Sequence, residues 1–227
     1  MKAGTSPRVR VRRAPKRARY DQQSIYRVLD RGRVAHVAFT DEGQPFCIPM
    51  LCTRVGDRVL IHGSSASRLM RLLATGAPAC VTVTILDGLV LARSAFEHSA
   101  NYDSVVLVGR FEPLTDDDKL AALEAFAEGV IPGRWREVRP PSRKELKATA
   151  VLALAIDEAS VKTRTGPPDD DASPDADRDV WAGVVPVTES LGPPVGSPGL
   201  RRGIPISSSV ARLTGNGADP EPPIPVA

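Results

Sequence analysis

The sequence is poor in cysteine, with only Cys47, Cys52 and Cys80 in 227 residues. So odd and sparse a set excludes a disulfide framework and fits a reducing compartment. No C-x-x-C pair is present, which excludes a zinc ribbon or a thioredoxin-like site. No run of about 18 apolar residues occurs, so no transmembrane helix is expected. The basic residues near the start are not followed by an apolar stretch, so no secretory signal is expected either, and the compartment read from these absences is the cytoplasm. There is no G-x-x-x-x-G-K-[ST] and no G-x-G-x-x-G, hence no phosphate-loop or dinucleotide fingerprint. A G-x-S-x-G elbow is also missing, so a hydrolase would lack its nucleophile motif.

Acid is missing from residues 1–19, which carry Lys2, Arg8, Arg10, Arg12, Arg13, Lys16, Arg17 and Arg19. The other 208 residues hold 22 basic and 27 acidic side chains, so the net charge of +3 describes a basic segment on a mildly acidic body. Residues 1–19 read as a disordered basic arm. With no aromatic residue among its charges, nucleic acid is not the expected partner. Of 21 prolines, 12 fall in residues 164–227, where Trp181 is the one aromatic residue. A stretch so composed buries little. The foldable body is residues 20–163, long enough for one core. Residues 164–190 read as an extension with an ordered patch at 181–183, and 191–227 as a Pro-rich disordered tail.

Within the body, Asp21 suits an N-cap for a short helix through Ile25, Val28 and Leu29, stopped at Gly32. Strand signals follow at 34–40, 45–55 and 58–62, separated by Asp41-Glu42-Gly43 and Gly56-Asp57. Pro49 marks the second of these as an edge strand or a ladder break. After Gly63-Ser64-Ser65-Ala66-Ser67-Arg68 the period changes, and Leu69, Leu72 and Leu73 share a helical face that ends at Gly76. Residues 79–86 read as a strand turned at Asp87-Gly88 into 89–93. Further strands are read at 102–111 and 148–156, and helices at 116–129 and near 145–147. Hairpin-joined strands at this spacing predict a mainly β fold with short helices, a small closed or split barrel.

Chemistry concentrates at residues 62–68. A strand that exits through glycine and serine into a helix lets backbone N–H groups converge on an anion, and Arg68 offers a planar fork suited to phosphate. The same serines also serve as ordinary helix caps. His62, at the strand end, is read either as a hydrogen-bonded structural histidine or as a ligand contact and proton donor. His36 and His98 sit on other elements. No histidine pair has metal-ligand spacing, so no metal site is expected. Cys47 and Cys52 are five apart, which on one strand places them on opposite faces.

Several blocks recur together: Phe46-Cys47-Ile48-Pro49, Ile61-His62-Gly63-Ser64-Ser65-Ala66-Ser67-Arg68, residues 81–96, His98-Ser99-Ala100-Asn101-Tyr102, Pro132-Gly133-Arg134-Trp135, Glu145-Leu146-Lys147-Ala148-Thr149, residues 159–168 and Trp181-Ala182-Gly183. In this order, over about residues 19–190, the chain resembles the pyridoxamine 5′-phosphate oxidase-like flavin-binding split-barrel proteins, nearest the branch of the 5-nitroimidazole resistance proteins. The resemblance implies a six-stranded antiparallel split β-barrel of Greek-key type, a homodimer with FMN at the subunit interface, and flavin-mediated electron or hydride transfer to a small acceptor such as a nitroaromatic or quinone. Ile48, Pro49 and Met50 would line the flavin ring. His62, Gly63, Ser64, Ser67 and Arg68 would grip its phosphate, with His62 the catalytic candidate. Thr82, Thr84, Arg93 and Ser94 would border the pocket, and Tyr102 and Trp181 would complete it from the partner subunit, the 164–190 extension packing on the barrel or that partner. Cys47 and Cys52 stand near the places of phosphate-holding basic residues in true pyridoxamine phosphate oxidases, which argues against a vitamin B6 oxidase and leaves Arg68 as the main phosphate cation. Asp103 replaces a basic residue of close members. The alternatives are a deazaflavin (F420)-dependent reductase, a non-enzymatic flavin- or haem-binding module, and a dimer that has lost its cofactor.

Overall fold

The computed structural model describes residues 6–215. Its strands are β1 (Ala18–Arg19), β2 (Val34–Asp41), β3 (Gln44–Leu51), β4 (Thr53–Val55), β5 (Arg58–Ser64), β6 (Pro78–Leu91), β7 (Ser99–Pro113), β8 (Thr149–Ala155), β9 (Ala159–Arg164) and β10 (Gly183–Pro186). The helices are α1 (Gln22–Arg31), α2 (Arg68–Ala74), α3 (Asp116–Val130), α4 (Arg143–Ala148) and α5 (Ser208–Leu213). Every strand pairing is antiparallel. The pairing path runs β3-β2-β6-β7-β8-β5-β4. Only Cys52 separates β3 from β4, so this path begins and ends on neighbouring segments of chain.

Turn chemistry sets the first hairpin. Glu42 and Gly43 both have positive φ (49° and 79°), the combination that matches strand twist in a two-residue turn. The run expected as one strand over 45–55 breaks at Cys52, whose N–H donates to the Arg33 carbonyl (3.0 Å). β3 pairs with β2 alone and lies at one end of the path, so Pro49 costs no ladder bond on its outer edge. Asp87-Gly88 does not turn the chain. β6 continues straight through it with a register shift between Leu86 and Gly88, a bulge rather than a hairpin. Glycine is required there because β10 crosses closely: a Cβ on Gly88 would lie 2.9 Å from Val184 Cγ1.

The main core lies inside the strands. It gathers Ile25, Val28 and Leu29 of α1, Val37 and Phe39 of β2, Val81 and Val83 of β6, Val105 and Leu107 of β7, and Leu69, Met70 and Leu73 of α2. α1 is capped as expected, with Asp21 Oδ1 accepting from Ser24 N–H (2.8 Å). Gly32 ends it for a packing reason, since a Cβ there would overlap Val83 Cγ1. A second, smaller cluster forms where Ala122 and Phe126 of α3 cover Leu60, Val151 and Ala153.

Two expectations are corrected. Residues 6–19 were expected to be disordered, yet they lie against the sheet: β1 pairs with β9, Val9 is buried, and Arg8 is ion-paired with Glu158. Strand pairing and one buried valine hold what composition alone reads as a free arm. The tail expected to be disordered from residue 191 ends, among the described residues, in α5. There Ser209 is buried, and its N–H donates to Glu137 Oε1 (2.9 Å). Residues 1–5 and 216–227 of those two segments lie outside the described residues. Among the described residues, no helix is long and apolar enough to cross a membrane.

Candidate functional site

The strand–loop–helix at residues 62–68 forms, and its loop is held from within. Ser64 Oγ accepts from Ala66 N–H (3.2 Å), Ser67 N–H donates to the Ser64 carbonyl (3.0 Å), and Ser65 N–H donates to the Ala148 carbonyl (2.8 Å). Ser67 is the N-cap residue of α2, but its hydroxyl makes no capping bond. Gly63 sits where α2 presses closest: a Cβ there would lie 3.3 Å from Met70 Cγ and 3.8 Å from Met50 Cε. Arg68 is already engaged. Its guanidinium lies 4.0 Å over the Phe46 ring, Phe46 stacks on Phe39, and Arg68 Nε is 3.7 Å from Asp41 Oδ2. An anion on Arg68 therefore competes with Asp41, a hairpin-tip acid that no local motif links to it. The Arg68 side chain is half exposed, so the pair is weak and the fork remains open to a stronger anion.

Strand parity divides the three β3 residues expected to work together. Ile48 and Met50 point inward and pack on the main core, whereas Pro49 points outward, as the period of two requires. Pro49 stands opposite His36, His36 opposite Thr82, and Thr82 opposite Val106. These four make one row on the outer face of the sheet. Val34 with Leu51, Thr84 with Ser104 and Leu86 with Tyr102 continue that face along the strands. Pro49, Thr82, Thr84 and Tyr102 thus share a surface from which Ile48 and Met50 are turned away.

Arg93, Ser94 and Trp181 form a separate group at the far end of the β6–β7 hairpin. Arg93 is pinned: its N–H donates to Asp170 Oδ2 (2.6 Å), and its guanidinium contacts Asp170 Oδ1 (2.9 Å) and Asp171 Oδ1 (3.1 Å). Asp170 is fully buried. Ser94 begins a short 3-10 turn (Ala95–Glu97) without a side-chain cap bond. His98 Nδ1 accepts from Ala92 N–H (3.1 Å). Trp181 is 64% exposed and sits against Gly183, which pairs with Leu91. Arg164 and Asn101, which lie in two of the recurring blocks but carry no role in the resemblance, fix this end. Arg164 is buried and donates to Asn101 Oδ1 (2.5 Å) and to the Gly166 and Pro167 carbonyls (3.1 and 2.9 Å). Phe46 is linked by register through Phe39 to Ala79. Ala79 and Leu91 are twelve residues apart on one strand, so the Arg68 and Trp181 groups lie towards opposite ends of it, up to about 40 Å apart along the strand.

His62 belongs to neither group. It faces α3, where its ring meets Phe126 edge-on (4.3 Å between centroids). Its Nδ1 is buried with no hydrogen-bond partner, and burial lowers its pKa. This is a neutral imidazole beside an apolar cluster, poorly suited to donating a proton near neutrality. Asp103 is also not a surface substitution. Its buried carboxylate accepts from Thr163 Oγ1 (2.6 Å) and Arg31 (3.1 Å), with Arg27 at 3.4 Å. It faces away from the Tyr102 surface, so its identity carries no information about a lost cofactor.

The family model described as pyridoxamine 5′-phosphate oxidase matches residues 21–163. No curated protein matches the chain. Among solved structures, the flavocytochrome Anf3 from Azotobacter vinelandii is 42% identical, with a TM-score of 0.87 over 93% of this chain and 98% of that one. The FAD and heme binding protein from Mycobacterium smegmatis is 44% identical, with a TM-score of 0.84 over 87% of this chain and 97% of that one. A 5-nitroimidazole antibiotic resistance candidate from Bacteroides thetaiotaomicron, 20% identical with a TM-score of 0.54 over 64% of this chain and 85% of that one, shares the fold.

Proposed function

The chain belongs to the pyridoxamine 5′-phosphate oxidase family, and from that premise we propose that it is a flavin-binding redox protein of the flavocytochrome kind. The observation that carries this is the pair of relatives, 42% and 44% identical over nearly their whole lengths, one named a flavocytochrome and the other an FAD and heme binding protein. The name of the second favours FAD over FMN as the flavin. A path of pairings that begins and ends on neighbouring segments, with β3 and β4 counted as one interrupted strand, supports reading the sheet as a six-stranded split barrel of Greek-key type. Bound flavin supplies electron or hydride transfer to a small acceptor, such as a nitroaromatic or quinone.

The chain's own residues suit that ligand. The row Pro49, His36, Thr82 and Val106 is a partly exposed surface of one imidazole among short apolar and hydroxyl side chains, suited to an aromatic ring system. Within one protomer Arg68 and Trp181 stand towards opposite ends of β6, up to about 40 Å apart along the strand, which argues against their meeting on a single cofactor. A twofold homodimer built on the outer face, with each protomer's hairpin end meeting the other's barrel, removes that obstacle. Haem is the second reading. His98 Nδ1 accepts a hydrogen bond, which places the ring proton on Nε2 and leaves no lone pair for iron. His36 and His62 are the histidines left to ligate it, and the orphaned, neutral His62 has the protonation state an iron ligand needs.

The test is an absorbance spectrum of the purified protein, followed by chromatography of the released cofactor. A yellow protein releasing FAD is expected, together with a Soret band that weakens in His36→Ala or His62→Ala but not in His98→Ala. Arg68→Ala should weaken flavin binding by about tenfold. A colourless protein that takes up neither FAD nor FMN sinks the reading, and binding of F420 alone would replace it with the deazaflavin alternative.

A further inference from the structure

From residue 187 the chain leaves the body and does not rejoin it until Ser207. Val187 N–H donates to the Asp87 carbonyl (3.1 Å), and Ser207 Oγ accepts from Arg134 (2.9 Å). Between these anchors the backbone bonds only within its own turns. Every residue from 187 to 206 except Pro194 is exposed. Yet the segment is not composed like a linker. It carries Val187, Leu191, Val195, Leu200, Ile204 and Ile206, with Val195 93% exposed, against Glu189, Arg201 and Arg202 as its only charges. Twenty residues without secondary structure inside a compact chain are uncommon unless they serve a function, and exposed apolar side chains so concentrated mark an interaction surface.

We propose that residues 187–206 are an arm that lies across a second copy of this chain. This rests on the homodimer proposed above. Three observations favour a second copy as the occupant. The same chain leaves Val34, Leu51 and Leu86 exposed on its outer sheet face, so it supplies a matching apolar surface that its own arm does not cover. A twofold axis makes such an exchange reciprocal, each arm covering the other protomer. The segment is also partly shared: the match to the A. vinelandii flavocytochrome leaves 7% of this chain unaligned, about 16 residues, fewer than the 27 from Val187 to Leu213 that span the arm and α5. Four prolines in the arm (Pro193, Pro194, Pro198 and Pro205) remove backbone donors, so it docks through side chains rather than by adding a strand.

The experiment uses the full chain, with and without Leu191→Ser, Val195→Ser and Leu200→Ser made together, which leaves β10 and α5 intact. Light scattering over a dilution series is expected to show a dimer whose dissociation constant rises at least about tenfold in the triple variant. In parallel, p-benzoylphenylalanine placed at Val195 is irradiated in a mixture of light- and heavy-isotope protein. Cross-linked peptides of mixed isotope are expected, because the arm contacts the other chain. A triple variant with an unchanged dissociation constant, or cross-links confined to one chain, overturns the arm assignment while leaving the dimer standing. A full chain that is monomeric at every concentration overturns the dimer itself.

Discussion

Single side chains in this protein are mostly spoken for by partners distant in sequence. Asp103 is the clearest case: one buried carboxylate ties β7 to β9 through Thr163 and to α1 through Arg31. Asp103→Asn keeps the shape but removes the charge, leaving Arg27 without its acid and Arg31 with Asp87 alone. We expect a loss of about 1–3 kcal/mol in urea unfolding, with the flavin spectrum unchanged once folded. His62 is governed by desolvation. Because burial lowers its pKa below the ordinary 6.5, its contribution to stability is present above pH 6.5 and is lost as pH falls towards the folded value. Proton NMR of the histidine ring should therefore give a midpoint under 6.5, and Phe126→Ala, which opens the site to water, should move it back up. Cys52 follows the same logic in the other direction: burial pushes its thiol up to about 11, so thiol reagents should reach it only after unfolding.

Elements are placed by close approaches that tolerate no extra atom. Gly129 packs α3 on β4 so tightly that a Cβ would overlap Thr53 Oγ1. Gly129→Ala should cost about 1–3 kcal/mol despite its better helix propensity, read as a lower urea midpoint. The docking of α5 depends instead on one acid. Ser209 donates to Glu137 through both its hydroxyl and its N–H, with help from Ser207 and Arg134, and holds the Glu137 carboxyl down to about 2. A depressed carboxylate stabilises above its unfolded value of 4.5, and that stability is lost as pH falls towards 2. Amide exchange at residues 207–214 should therefore accelerate over that acid window while the β6–β7 core stays protected. In Glu137→Gln the fast exchange should already be present at pH 7.

At the scale of the whole molecule, the cofactor reading and the assembly reading are one problem. The Arg68 cradle and the Trp181 patch are well formed, but at opposite ends of a long hairpin, so neither alone makes a site. Truncation separates the contributions. A chain ending at residue 163 loses Asp170, the buried partner of Arg93, together with β10. It should lose both flavin and dimer by absorbance and light scattering. A chain ending at 190 keeps those contacts but lacks most of the arm, and should keep a flavin-competent barrel with weakened association. Equal behaviour of the two would break the link between the hairpin end and the cofactor.

Much of this was legible along the chain because it is local chemistry. The Asp21 cap, the Asp41-Glu42-Gly43 turn, the apolar face of α2, the edge character of β3 at Pro49 and the mainly β class each follow from a few neighbouring residues. So does the strand–loop–helix at 62–68, whose glycine and serines were its own signal. What local patterns do not carry is parity and partnership. Whether Pro49 or its neighbours face outward depends on the register of β3 against β2, and a shift of one residue would reverse all three. Asp87-Gly88 looks like a turn until β10, nearly a hundred residues later, is seen crossing it. Asp41 beside Arg68, Phe126 against His62 and Asp170 under Arg93 lie 27, 64 and 77 positions apart. Composition and short-range propensity determined most elements of the central body, but not those at its two ends. Which side chains were left free to meet a ligand was decided only when sheet register and long-range charge pairing had taken the others.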